Sequence, residues 1–130
     1  MKPEECLKEA KIYLEIAESQ IGREPERWNP VIVNCQQAII STIDAGYLEF
    51  IGYLPKGGGR GHEQTSKNLQ ELYQKEYIPE SFSANIHTVK KWTEQRKSEI
   101  QYKYASCSKK DAKEAYKGSK NLYEKINKEI

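Results

Sequence analysis

The segment from Val31 to about Phe50 constrains this chain most, because its apolar residues cover nearly the whole circumference of a helix. They are Val31, Ile32, Val33, Cys35, Ala38, Ile39, Ile40, Ile43 and Ala45. A helix apolar on all sides has to be surrounded, so the pattern predicts a buried central helix with the remaining elements packed around it. The β-branched content would also suit a strand. The run is too long for one, however, and Asn34, Gln36, Gln37 and Asp44 do not alternate as a half-buried strand requires.

The flanking segments supply the partners. Leu7, Ala10, Leu14, Ala17 and Ile21 recur at steps of three and four, placing one apolar face on a helix that begins near Pro3 and ends at Gly22. A polar connector follows. Asn29-Pro30 has the form of a helix start, with Asn29 as N-cap and the proline in the first turn. After the central helix, Leu54-Pro55-Lys56-Gly57-Gly58-Gly59-Arg60-Gly61 must be a loop, since consecutive glycines exclude stable helix.

A third helix is predicted from about His62 to Tyr77, carrying Thr65, Leu69, Leu72 and Tyr73 on one side and closed by Pro79. A fourth, from about Ser83 to Tyr102, has Ile86, Val89, Thr93, Arg96 and Ile100 along one stripe with Trp92 beside it. Ser108-Lys109-Lys110-Asp111 then reads as a serine-capped start with a first-turn carboxylate. Ala112, Ala115, Tyr116, Ser119, Leu122, Tyr123, Ile126 and Ile130 continue that last helix. The fold class expected is all-α, a single up-and-down-like bundle of about five helices spanning residues 1–130 as one domain.

Composition narrows the function classes. Lys+Arg 21 against Asp+Glu 19 leaves a formal charge of +2, too balanced to imply a nucleic-acid partner by charge alone. Cys6, Cys35 and Cys107 are far apart and outside any metal-ligand spacing, so they read as ordinary thiols in a reducing compartment. No metal and no cofactor is predicted. The N-terminus lacks a signal-like apolar run, and no stretch approaches the ~18 apolar residues that cross a bilayer, so a cytoplasmic protein with no membrane partner is expected.

Few residues are suited to chemistry. The glycine loop with Arg60 can be read as a phosphate cradle at a helix start or as a plain flexible loop; it is neither a Walker motif nor a dinucleotide fingerprint. His62 and His87 are the only imidazoles, and no hydrolase or metalloenzyme signature accompanies them. Arg96-Lys97-Ser98-Glu99-Ile100-Gln101-Tyr102-Lys103-Tyr104 is more informative. There an arginine that can fork onto a phosphate meets Tyr102 and Tyr104, which offer hydroxyls or stacking faces. The plainer reading pairs Arg96 with Glu94 or Glu99 on a solvated helix end.

The order of these features resembles the HEPN family, small helical domains of higher eukaryotes and prokaryotes. The resemblance spans most of the chain. It rests on Val33-Asn34-Cys35-Gln36-Gln37-Ala38 within a long apolar helix, the glycine loop leading to His62 and Leu69-x-x-Leu72, the Arg96 to Tyr104 segment, and an alanine-bearing last helix. It implies a bundle of four or five helices that dimerises, with a basic, polar groove near the dimer contact. Members include metal-independent ribonucleases, toxins paired with minimal nucleotidyltransferases, and non-catalytic interaction domains. The ribonucleases carry an arginine followed, after about four to six residues, by a histidine that assists 2′-hydroxyl attack. Here Gln101, Tyr102 and Lys103 stand where that histidine would be.

The resemblance therefore implies a non-catalytic binding or interaction domain. Its partner would be a nucleotide, RNA, or a minimal nucleotidyltransferase in a toxin–antitoxin-like pair, and its ligand-binding residues would be Arg96, Tyr102, Tyr104 and Arg60. The alternative is a divergent, metal-independent endoribonuclease in which His62 or His87 is brought to Arg96 by folding or from a second subunit. A third reading, a purely structural oligomerisation domain, is favoured if Arg96 is buried in an internal salt bridge. A homodimer is expected both from the resemblance and from the all-round apolar second helix.

Overall fold

Pro3 opens the first helix, α1 (Pro3–Gly22), from a first-turn position where its missing N–H costs nothing, and Glu4 and Glu5 face the positive end of the helix dipole. Cys6, Leu7, Ala10, Leu14 and Ala17 form its buried face. The computed structural model describes residues 1–55, 62–96 and 107–130. The described elements are all helical, as the periodicity predicts, and no strand occurs among the described residues.

The second helix, α2 (Asn29–Phe50), is the centre of the bundle. Every residue from Ala38 to Tyr47 is buried, and the helix packs most extensively on α1, then on the last helix and the third. Its all-round apolar surface is thus consumed inside one copy of the chain. That removes the argument that this helix offers an interface for dimerisation. One local expectation is corrected at its start: Trp28, not Asn29, is the N-cap residue. The buried Asn29 side chain instead accepts the Cys107 backbone N–H at 3.1 Å, tying the start of α2 to the chain entering the last helix.

The third helix, α3 (His62–Gln74), stops before the predicted Tyr77. Tyr77 N–H donates to the Leu72 carbonyl and Glu76 N–H to that of Tyr73, with Glu76 left-handed at φ 61. This is the two-bond closure of a helix C-terminus that glycine usually provides, so the helix is finished by its own carbonyls before Pro79 acts. A 3-10 turn, Glu80–Phe82, leads into α4 (Ser83–Lys90).

The expected fourth helix is interrupted at Arg96, and its predicted remainder, residues 97–102, lies outside the described residues. A π-helical turn, Lys91–Gln95, follows α4, and Arg96 leaves helical geometry at φ −110 and ψ 7. The widened turn holds buried Trp92 and Thr93. Two hydrogen bonds fix it: Gln36 of α2 donates to the Trp92 carbonyl at 2.7 Å, and the Thr93 hydroxyl donates to the Val89 carbonyl at 2.6 Å.

The last helix, α5 (Lys109–Glu129), begins with a reciprocal cap. Asp111 N–H donates to the Ser108 hydroxyl and Ser108 N–H to the Asp111 carboxylate, both at 3.1 Å. Ala112, Ala115, Ser119, Leu122 and Ile126 are its buried stripe. The small residues in the first half let α5 lie close to α2 and α4. No described helix is long and apolar enough to cross a membrane.

Candidate functional site

Two features occupy the seam where α4 and its π turn face α5. The first is an arginine clasp. As the backbone turns out of the helix at Arg96, its guanidinium reaches Asp111 in the first turn of α5, with nitrogens 2.9 and 3.4 Å from the two carboxylate oxygens. The same guanidinium lies 5.2 Å from the Trp92 ring. Burial works to raise the Asp111 pKa, but the Arg96 hydrogen bond and the Ser108 N–H outweigh it, and the carboxyl sits below its ordinary value.

Arg96 pairs with Asp111, fifteen positions along the chain, a partner that the sequence reading did not name. Glu94 is two residues away, a spacing that does not share a helix face, and Glu99 lies outside the described residues. The pair is only about a quarter exposed, at 22% and 25%. Arg96 thus holds the end of the π turn to the start of α5 in a partly exposed salt bridge; it is not the buried pair that would favour a purely structural domain.

The second feature is a groove of about 770 Å³ running between α4 and α5. His87, Thr88 and Lys91 form one wall, and Glu114, Lys117 and Asn121 the other, with Trp92 and Tyr116 beneath them. Lys91 spans the mouth, 2.9 Å from a Glu114 oxygen and 5.0 Å from the Trp92 ring. Lys117 and Lys120 stand along the α5 side, with the Lys120 ammonium 5.9 Å from the Tyr116 ring. Once Lys91 and Glu114 offset one another, Lys117 and Lys120 outweigh Glu124, and the groove has a small excess of positive charge.

Two groups by the seam have raised pKa values. Burial, reinforced by the hydrogen bond Tyr116 donates to Glu18, raises the Tyr116 pKa above the ordinary phenol value. Burial pushes the Cys35 thiol up to about 12, so it is not a thiolate at neutral pH.

The structure brings together only some of the residues proposed from sequence. Arg96 meets Asp111 and Trp92; His87 lies exposed in the groove wall. His87 lines the groove, whereas Arg96 is not among its lining residues. Arg60, Tyr102, Tyr104 and the side chain of His62 lie outside the described residues. Sequence reasoning missed Lys91, Lys117 and Lys120. The signal for the last two was present, as a lysine pair three apart beside a glycine on an otherwise strongly amphipathic helix.

Fold and groove together define a small all-helical bundle with a polar, lysine-edged groove between α4 and α5. No family model, no curated protein and no solved structure matches the chain.

Proposed function

We propose that this chain is a non-catalytic helical binding module that holds a nucleotide, free or within single-stranded RNA, in the groove between α4 and α5. The groove itself carries the reading. Its volume lies within the usual ~300–1,000 Å³ range of small-ligand sites. Lys117 and Lys120 supply cations for phosphate, Asn121 an amide for hydrogen bonding, and the half-buried Tyr116 an aromatic face. The non-catalytic half of the reading is supported by Arg96, whose guanidinium is engaged by Asp111 and which is not among the residues lining the groove that holds His87.

The test is titration of mononucleotides and of a labelled single-stranded RNA into the protein at two salt concentrations. Replacing both groove lysines, Lys117→Glu with Lys120→Glu, is expected to weaken binding at least tenfold and to reduce the salt slope by about 0.7 for each phosphate no longer neutralised. Equal binding by wild type and variant would remove the groove from the reading. RNA should survive incubation intact; cleavage that disappears in Arg96→Ala would refute the non-catalytic half.

A further inference from the structure

The outer face of α1 is the other surface that the packing leaves unexplained. Among the described residues, the large apolar side chains open to solvent are scattered singly except for Ile12 and Ile16, 57% and 41% exposed and one turn apart on this helix. They share a shallow groove with Glu15, Ser19, Gln20 and Arg23. At 100° per residue, Glu5, Ile12, Ile16, Ser19 and Arg23 fall within a sector of about 60°, directly opposite the Ala10, Leu14 and Ala17 face that enters the core. All five are exposed.

The order of residues along that stripe is self-complementary. If α1 is laid antiparallel against another α1 about a two-fold axis level with Leu14, Ile12 meets Ile16 of the second copy. At the ends, Glu5 meets Arg23 of the second copy, and Ser19, with its short side chain, lets the two backbones approach. Each pairing occurs twice, as an isologous contact requires. At the shallow crossing of about 20° that antiparallel helix pairs adopt, Glu5 and Arg23 remain within side-chain reach at both ends.

We infer that the Glu5–Ile12–Ile16–Arg23 face of α1 is where two copies of this chain associate, antiparallel and two-fold symmetric. A second copy is favoured over another partner because one stripe supplies both halves of the contact, apolar against apolar and acid against base. The apolar centre is small, which sets the association in the weak class, with Kd on the order of 0.1 mM. The inference does not depend on what the α4–α5 groove binds.

Sedimentation velocity of the full chain from about 10 to 500 µM tests it. Wild type should move from monomer to dimer across this range. Glu5→Arg alone and Arg23→Glu alone should each weaken the dimer at least tenfold, because each places like charges at both ends. The double variant should recover it, and so should a one-to-one mixture of the two single variants, in which every contact is again opposite in sign. The substituted positions are exposed, so a cooperative melt, lowered only by the small cost of a reversed charge at a helix end, checks that the variants fold. A wild type that stays monomeric at every concentration overturns the inference. So does a dimer indifferent to the single charge reversals, or one that the mixture fails to restore. Nucleotide titration of the same samples reads the groove separately.

Discussion

Gly118 sits in the interior of α5, where glycine costs about 1 kcal/mol relative to alanine, so Gly118→Ala should stabilise the protein if the helix were alone. The neighbouring helix reverses that expectation. A Cβ at position 118 would lie 2.6 Å from the Thr88 Cγ2 of α4, far inside contact distance, with the Thr88 Cβ and Oγ1 at 3.8 and 3.9 Å. Threonine is β-branched and can yield only by rotating about one bond or by pushing α4 away from α5, and overpacking of this kind costs about 1–3 kcal/mol. Set against the propensity gain, Gly118→Ala should therefore destabilise by about 1 kcal/mol, a fall in melting temperature of about 3–5 °C for a chain of this size. In a Thr88→Ser background the methyl group is absent and the sign should reverse, the same substitution then stabilising by up to ~1 kcal/mol. Urea unfolding of the four proteins of this cycle gives the coupling directly, expected at about 1–3 kcal/mol. If Gly118→Ala stabilises wild type as much as it stabilises Thr88→Ser, the close approach of α4 to α5 is not as described, and the groove formed by that approach loses its geometry.

Two further outcomes probe the seam from its other sides. Arg96→Ala should destabilise by about 1–2 kcal/mol at neutral pH, discounted for the partial exposure of the pair. Because the Asp111 pKa is lowered in the folded protein, the stability it contributes is complete above the unfolded carboxylate value and is lost as pH falls through the folded one. The gap between wild type and Arg96→Ala should accordingly narrow below about pH 4; a gap constant from pH 7 to pH 3 would contradict the clasp. Gln36→Leu keeps the side-chain volume but strips the Trp92 carbonyl of its donor, and should cost about 1–3 kcal/mol in urea unfolding, whereas unchanged stability would mean that the π turn does not rely on α2.

Local pattern settled much of this protein by itself. The three-and-four spacing of Leu7, Ala10, Leu14 and Ala17, and of Ala112, Ala115, Ser119, Leu122 and Ile126, determined which faces of α1 and α5 turn inward, because side-chain direction in a helix follows from periodicity alone. The unbroken apolar surface of α2 required a central position, and Ser108 with Asp111 announced the start of α5, since a cap is completed within one turn of chain. Other features were decided only by tertiary contact. The π turn that ends α4 is held by a glutamine from another helix, and Arg96 finds its carboxylate across the seam rather than on its own helix. Asn29 resembles an N-cap in sequence but bonds to a backbone N–H 78 residues away. The lysine groove belongs to the same class, since it does not exist until the helices have chosen their neighbours; the outward stripe of α1 follows from the same periodicity as its inward face, and packing decides only that it stays uncovered. The physical reason is range: a helix face is written in residues three and four apart, whereas the partner of a polar side chain is set by which elements the buried core draws together.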